Sequence, residues 1–132
     1  MPTVVLGYVP KPEGEAALAV SIAEARLRQA DLVVVNSRRA HMRDPEAHER
    51  ILAELEDVRI RVTEAGVAVD VRQPETGLEA SEDLLQIAEE VAANLVVIGL
   101  RRRTPVGKLI LGSNAQRILL DAPCPVLAVK SD

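Results

Sequence analysis

The sequence has almost no aromatic residues: one tyrosine, no phenylalanine and no tryptophan among 132 residues. Proteins that bind single-stranded nucleic acid stack its bases on aromatic side chains, so this scarcity argues against such a platform. Because 48% of the residues are nevertheless hydrophobic, the core must consist of Val, Leu, Ile and Ala. This overall composition is typical of a soluble globular protein.

Cysteine, positive net charge and long apolar runs are also scarce. The single cysteine, Cys124, excludes an internal disulfide, which fits a reducing cytoplasm. No apolar run approaches the about 20 residues of a membrane span, and the N-terminus lacks the basic and apolar regions of a signal peptide. The net charge of −4 disfavours nonspecific binding to nucleic acid or anionic membranes. We therefore expect a cytoplasmic protein that binds neither nucleic acid nor membrane.

Short apolar runs alternate with helical patterns along the chain. The runs predicted as strands cover residues 4–9, 32–35, 67–71, 95–98 and 126–129, and the helical patterns cover 13–30, 44–66, 80–93 and 115–121. Strands that alternate with helices indicate an α/β fold, a parallel sheet with right-handed crossovers. The length, and the lack of repeats or linkers, predict a single domain over residues 1–132.

The spacing of apolar residues predicts which face of each helix is buried. The predicted inward residues are Ala16, Val20, Ala23, Leu27 and Ala30 in the first helix; Ala47, Ile51, Leu55, Val58, Val62 and Ala65 in the second; Leu84, Leu85, Ala88, Val91 and Ala92 in the third; and Ile118 and Leu119 in the fourth. Asp44-Pro45 is a strong helix start, and Gly66 a helix stop. Alternation over residues 67–71 predicts an edge strand.

Residues 95–114 carry the clearest chemical pattern: a strand, Gly99, a basic loop, then Gly112-Ser113-Asn114 before a helix. Glycine lets a backbone approach a ligand, and the free N–H groups of a helix start attract anions. Ser113 can cap the helix or point its hydroxyl at a phosphate. Arg101, Arg102, Arg103 and Lys108 add positive charge. The stretch is therefore either a phosphate-binding loop or a strand-to-helix connection with a solvated basic loop.

The expected sheet geometry supports the first interpretation as much as the second, because ligands of open α/β sheets bind at the carboxyl ends of strands, so both stay open. The spacing is neither that of the P-loop nor that of the G-x-G-x-x-G dinucleotide motif. Two histidines and one cysteine are too few to predict a structural metal site. No nucleophile motif is present either, so we predict no catalytic residue.

The C-terminal third resembles the universal stress protein family. That family is marked by a glycine, two residues, a second glycine, nine residues, and then Gly-Ser or Gly-Thr, and this chain has Gly99, two residues, Arg102, nine residues and Gly112-Ser113. The closing segment 122–129 and the opening segment 4–9 are similar to the last and first strands of the family.

The resemblance implies a fold of the adenine nucleotide alpha hydrolase type, an open five-stranded parallel sheet of order 3-2-1-4-5 with helices on both faces. Members are usually dimers, which places the contact on the last strand, here Val126, Leu127, Ala128 and Val129. Some members bind ATP or AMP, with a divalent metal only where it accompanies the nucleotide. The positions that correspond to their nucleotide contacts are Val9, Val35, Gly99, Arg101, Arg102, Gly112, Ser113 and the backbone amide of Asn114.

Two residues depart from the pattern of nucleotide-binding members. Arg102 stands at the second glycine of the motif, where its side chain either blocks the site or pairs with an anion. Val9 stands where those members usually carry an aspartate that orients the nucleotide. We therefore expect weakened or altered nucleotide binding, because a lost hydrogen-bonding group lowers discrimination.

The function that the resemblance implies is that of a stress-response binding or regulatory protein rather than an enzyme. Binding of an adenine nucleotide would order residues 101–111 and change the surface offered to an unknown regulatory partner. The alternatives are a nucleotide-free dimeric interaction module and a slow ATPase.

Overall fold

The computed structural model describes residues 2–37, 44–76, 78–101 and 111–131. Five strands and four helices alternate in this part of the chain. In chain order they are β1 (Thr3–Gly7), α1 (Pro12–Arg28), β2 (Asp31–Val35), α2 (Pro45–Glu64), β3 (Val69–Arg72), α3 (Ala80–Glu90), β4 (Leu95–Leu100), α4 (Ser113–Asp121) and β5 (Val126–Lys130).

The strands form one parallel sheet in the order β3-β2-β1-β4-β5, which confirms the predicted fold class and strand order. The alternation of side chains along each strand divides the core into two layers. Val4, Leu6 and Tyr8 pack with α1 and α2 on one face, and Val5 packs with α3 and α4 on the other. Because both faces are covered, the central strands are apolar throughout.

Sequence signals at the ends of α2 act as predicted. The Asp44 side chain accepts hydrogen bonds from the backbone N–H groups of Glu46 (3.1 Å) and Ala47 (3.3 Å), which caps the helix. Gly66, at φ +83°, follows its last turn. Of the six predicted inward residues, Ile51, Leu55, Val58 and Val62 are buried, whereas Ala47 and Ala65 are half-buried.

The predicted inward face of α1 is wrong. Leu27 is 79% exposed, whereas the buried residues of the helix are Glu13, Gly14, Ala17, Leu18, Ser21 and Ala25. The helix has alanine on several faces, so the spacing of apolar residues does not single out one of them. Small residues are selected here because α1 packs closely onto the central strands.

Smaller corrections concern the other elements. The helix α3 ends at Glu90 rather than at residue 93, and its buried apolar residues include Ile87, which the pattern did not select. In α4 only Ile118 is buried, and Leu119, which was also predicted to face inward, is 39% exposed. Strand β4 extends to Leu100, so Gly99 is part of the strand and pairs with Val129.

Candidate functional site

A cleft of about 740 Å³ opens at the carboxyl ends of β1, β2 and β4. This size lies within the range of roughly 300–1,000 Å³ that is usual for small-molecule sites. Its lining residues come from the ends of three strands and the starts of three helices: Gly7, Tyr8, Val9, Pro10, Lys11, Glu13, Val35, Asn36, Ser37, Glu79, Ala80, Leu84, Ile98, Gly99, Leu100, Arg101, Gly112, Asn114, Ala115 and Ile118.

Asn36 fixes the floor of the cleft on the β2 side. It is 2% exposed, and its Nδ2 donates a hydrogen bond to the backbone oxygen of Tyr8 (3.0 Å). Its Oδ1 accepts a hydrogen bond from Nε2 of Gln73 (3.3 Å), and its backbone N–H donates one to the backbone oxygen of Arg72 (3.0 Å). These bonds hold the chain beyond β1, β2 and β3 in one arrangement. They satisfy a buried amide that would otherwise be costly to desolvate.

Two glycines allow α1 to start close to the sheet. A Cβ atom on Gly14 would lie 1.7 Å from the carbonyl oxygen of Val9, and a Cβ atom on Gly99 would lie 2.3 Å from the carbonyl oxygen of Glu13. Neither distance is possible for a side chain, so both positions require glycine. The first turn of α1 therefore lies directly against β4, and Glu13 borders the cleft beside Gly99.

The other helix start at the cleft belongs to α4. Gly112 is its N-cap and provides no side chain to cap it, and its first turn contains no acidic residue. The N–H groups of Ser113 and Asn114 therefore have no acceptor within the helix and are suited to an anion. The side chain of Asn114 is already occupied, because its Oδ1 accepts from the backbone N–H of Ser81 (3.2 Å).

The charged residues that line the described part of the cleft balance one another. Lys11 and Arg101 are positive, and Glu13 and Glu79 are negative. The remaining cations of the predicted basic loop, Arg102, Arg103 and Lys108, lie outside the described residues.

Below the cleft, Tyr8 joins α1 to α2. It is 1% exposed, and its hydroxyl donates a hydrogen bond to Oε1 of Glu15 (3.0 Å). Arg61 donates two further bonds to the same carboxylate (3.0 and 3.2 Å). Burial, and then the bond to Glu15, raises the pKa of Tyr8. The bonds from Arg61, and then from Tyr8, lower the pKa of Glu15 despite its partial burial.

The structure brings together most of the predicted site residues. Those that line the cleft are Val9, Val35, Gly99, Arg101, Gly112 and Asn114. Ser113 is exposed and is not among the lining residues, and Arg102 lies outside the described residues. Helix α4 begins at Ser113 and not at residue 115, so Ser113 is its first residue rather than its cap.

Sequence reasoning missed two features of the cleft: Glu13 and the start of α3 at Glu79 and Ala80. Asn36 follows a buried strand of a parallel sheet, which is where ligands of such sheets bind, and it lines the cleft. For Glu13 the sequence shows only an acidic residue at the start of a helix, where the helix dipole favours it. The contribution of α3 depends on how that helix packs, which spacing does not encode.

The described residues contain no group of three or more His, Cys, Asp or Glu side chains arranged to hold a metal ion. None of the described helices has the length and hydropathy of a membrane span.

A comparison with protein families matches residues 1–130 to the universal stress protein family. A universal stress protein of Mycolicibacterium smegmatis is 44% identical over 127 residues, which cover 96% of each chain.

Two solved structures of universal stress proteins from Archaeoglobus fulgidus are also similar. One shares 33% sequence identity with a TM-score of 0.83. The other, a complex with dAMP, shares 27% identity with a TM-score of 0.77. Both comparisons cover 98% of this chain and 98% of the other.

Proposed function

Because this chain belongs to the universal stress protein family, we propose that it binds an adenine nucleotide, AMP or ATP, in the cleft between β1, β2 and β4. The observation that carries the proposal is the start of α4. There an uncapped first turn without acidic residues faces a cleft that is large enough for a nucleotide. The similar Archaeoglobus fulgidus protein, solved with dAMP, supports this choice of ligand.

The described residues suggest how each part of the nucleotide is held. The phosphate accepts hydrogen bonds from the N–H groups of Ser113 and Asn114, with Arg101 close to it at the mouth of the cleft. The base lies over Val9 and Val35 at the other end. A divalent metal enters only with the phosphates of ATP, where it would neutralise part of their charge.

The proposed role is regulatory and cytoplasmic. The ligand would alter the surface around residues 101–111, and a partner protein of the stress response would bind this altered surface. Residues 102–110 lie outside the described part of the chain, so this step rests on the family relationship and on the position of Arg101 beside α4.

Neutralising Arg101 tests where the phosphate lies. We expect Arg101→Gln to weaken AMP binding about threefold to tenfold, because one exposed charge-assisted contact is lost. ATP binding should fall by a larger factor, since ATP carries more negative charge. The measurement is calorimetric titration of both nucleotides.

The control is Arg26→Gln, the same change at an exposed position in the last turn of α1, which should leave both affinities unchanged. Equal losses in the two variants would place the phosphate away from Arg101. Release of ADP during the titration would instead favour the slow ATPase.

We also propose that the protein is a homodimer in which β5 pairs with the same strand of a second copy. β5 is an edge strand of four half-buried apolar residues, Val126 to Val129, and such an edge readily pairs with another chain.

Proline substitution tests the dimer. The backbone N–H of Val96 donates to the backbone oxygen of Pro125, the residue before β5, so in a parallel ladder the N–H of Ala128 points to the free edge. We expect Ala128→Pro to give a monomer, measured by size-exclusion chromatography with light scattering, without loss of a bond to β4.

A matched substitution lies on the opposite edge of the sheet. The backbone oxygens of Ala68 and Arg72 accept from β2, so the N–H of Val71 points outward from β3 in the same way. Val71→Pro should remain dimeric. A dimer that survives Ala128→Pro would show that the two copies meet elsewhere.

A further inference from the structure

Glu13 is a buried carboxylate for which the structure shows no partner. It is 9% exposed and borders the cleft. Among the described residues, none donates a hydrogen bond or forms an ion pair with its carboxylate. Polar side chains that are buried to this degree normally meet a partner within the protein. The carboxylate oxygens of Glu13 are not enclosed by the protein, so they are open to the cleft, where a ligand can bind them.

The two helix starts give the cleft opposite electrostatic ends. The first turn of α1 carries the acidic residues Glu13 and Glu15, which use the positive end of its own helix dipole. The first turn of α4 carries none. An anion is therefore favoured at α4 and disfavoured at α1. A carboxylate accepts hydrogen bonds and donates none, so a ligand group that binds Glu13 must be a donor.

The position of Glu13 indicates which donor this is. Val35 is the last residue of β2, and Gly99 lies near the end of β4, two strands away in the sheet. Glu13 packs against Gly99. Neighbouring strands are about 4.8 Å apart. A nucleotide whose base lies over Val35 and whose phosphate lies at α4 therefore places its sugar beside Glu13.

We propose that Glu13 is a specificity-determining residue whose carboxylate accepts hydrogen bonds from the ribose hydroxyls of the bound nucleotide. The proposal rests on the nucleotide site proposed above and adds a preference for ribonucleotides to it. Two hydroxyl donors match the two acceptor oxygens of a carboxylate, the pairing by which acidic residues select ribose in dinucleotide-binding folds. Glu13 thereby supplies, from the first turn of α1, a carboxylate that Val9 does not have.

The test compares AMP with 2′,3′-dideoxy-AMP by calorimetry. The wild-type protein should bind AMP about tenfold more tightly or better, since hydrogen bonds to a charged group are strong. In Glu13→Gln, one acceptor becomes an amide donor, and the preference should fall below about threefold through loss of AMP affinity. Glu13→Ala should behave in the same way.

Glu24→Gln provides the matched control, because Glu24 lies on the same helix and pairs with Arg28 at its far end. It should retain the wild-type preference. A preference for AMP that is unchanged in both Glu13 variants would overturn the proposal. Equal affinity of the wild-type protein for AMP and 2′,3′-dideoxy-AMP would also overturn it, before any variant is made. If the wild-type protein binds neither nucleotide, the proposed function fails together with this inference.

Discussion

At the scale of single residues, the burial and hydrogen bonds of a side chain explain its role in the fold better than its residue type alone. Tyr8 is the only aromatic residue of the chain, and it uses its hydroxyl to reach Glu15 on α1 and, through that carboxylate, Arg61 on α2. The sequence predicted none of this network. Its partners lie on different elements, and only the packing of α1 against α2 brings them together.

The titration of Tyr8 tests this network. Its pKa is raised above the ordinary value of 10.0 by burial and by the Glu15 carboxylate, so the folded state favours the neutral phenol. This contribution to stability is complete below pH 10.0 and is lost as the pH rises further, because the unfolded chain ionises first.

We therefore expect no phenolate absorbance from the folded protein as the pH passes 10.0. The signal should appear together with alkaline unfolding, which circular dichroism follows. With a single tyrosine and no tryptophan, the absorbance change reports this residue alone. Glu15→Gln should bring the onset to lower pH. A phenol that titrates near pH 10.0 in a protein that stays folded would contradict the account.

At the scale of elements, the sequence predicted the strands and the ends of α2 better than the buried face of α1. Central strands are continuous apolar runs, and Asp44 and Gly66 act locally, so both signals are visible in the chain itself. The buried face of α1 was missed because small residues and a close contact define it. Gly14 and Gly99 do not form a turn. Each lacks a side chain where a backbone carbonyl oxygen from elsewhere in the chain comes close.

Gly14→Ala tests the close contact between α1 and the end of β1. Inside a helix this change usually stabilises by about 1 kcal/mol. Here the new Cβ would meet the carbonyl oxygen of Val9, so we expect a loss of about 2–3 kcal/mol in the free energy of unfolding. Urea denaturation gives the value.

Gly66→Ala is the control for Gly14→Ala. No atom lies within 4 Å of its Cβ position, and only its φ of +83° opposes a side chain. It should cost about 1–2 kcal/mol, without the shift of α1 that Gly14→Ala requires. A Gly14→Ala protein that is as stable as the wild type, or more stable, would show that α1 can move away from β1 without cost.

At the scale of the whole molecule, the alternation of apolar runs and helical patterns determined the fold class. The spacing of Gly99, Gly112 and Ser113 pointed to the end of the sheet at which the cleft opens. The shape of the cleft was beyond the sequence, because α3 and the first turn of α1 form part of its wall. Glu13 is the clearest example: its position in a helix is predictable, but its burial beside Gly99 follows from tertiary packing.

The central claim is that the cleft binds an adenine nucleotide. Its most direct test is a calorimetric titration of the wild-type protein with AMP, after denaturation of a sample to release and identify any nucleotide that co-purifies. The account predicts one site per chain, filled either by AMP during the titration or by an adenine nucleotide already present. A protein that releases no nucleotide and gives no heat with millimolar AMP would contradict it, and Gly99 would then serve only the packing of α1 on the sheet.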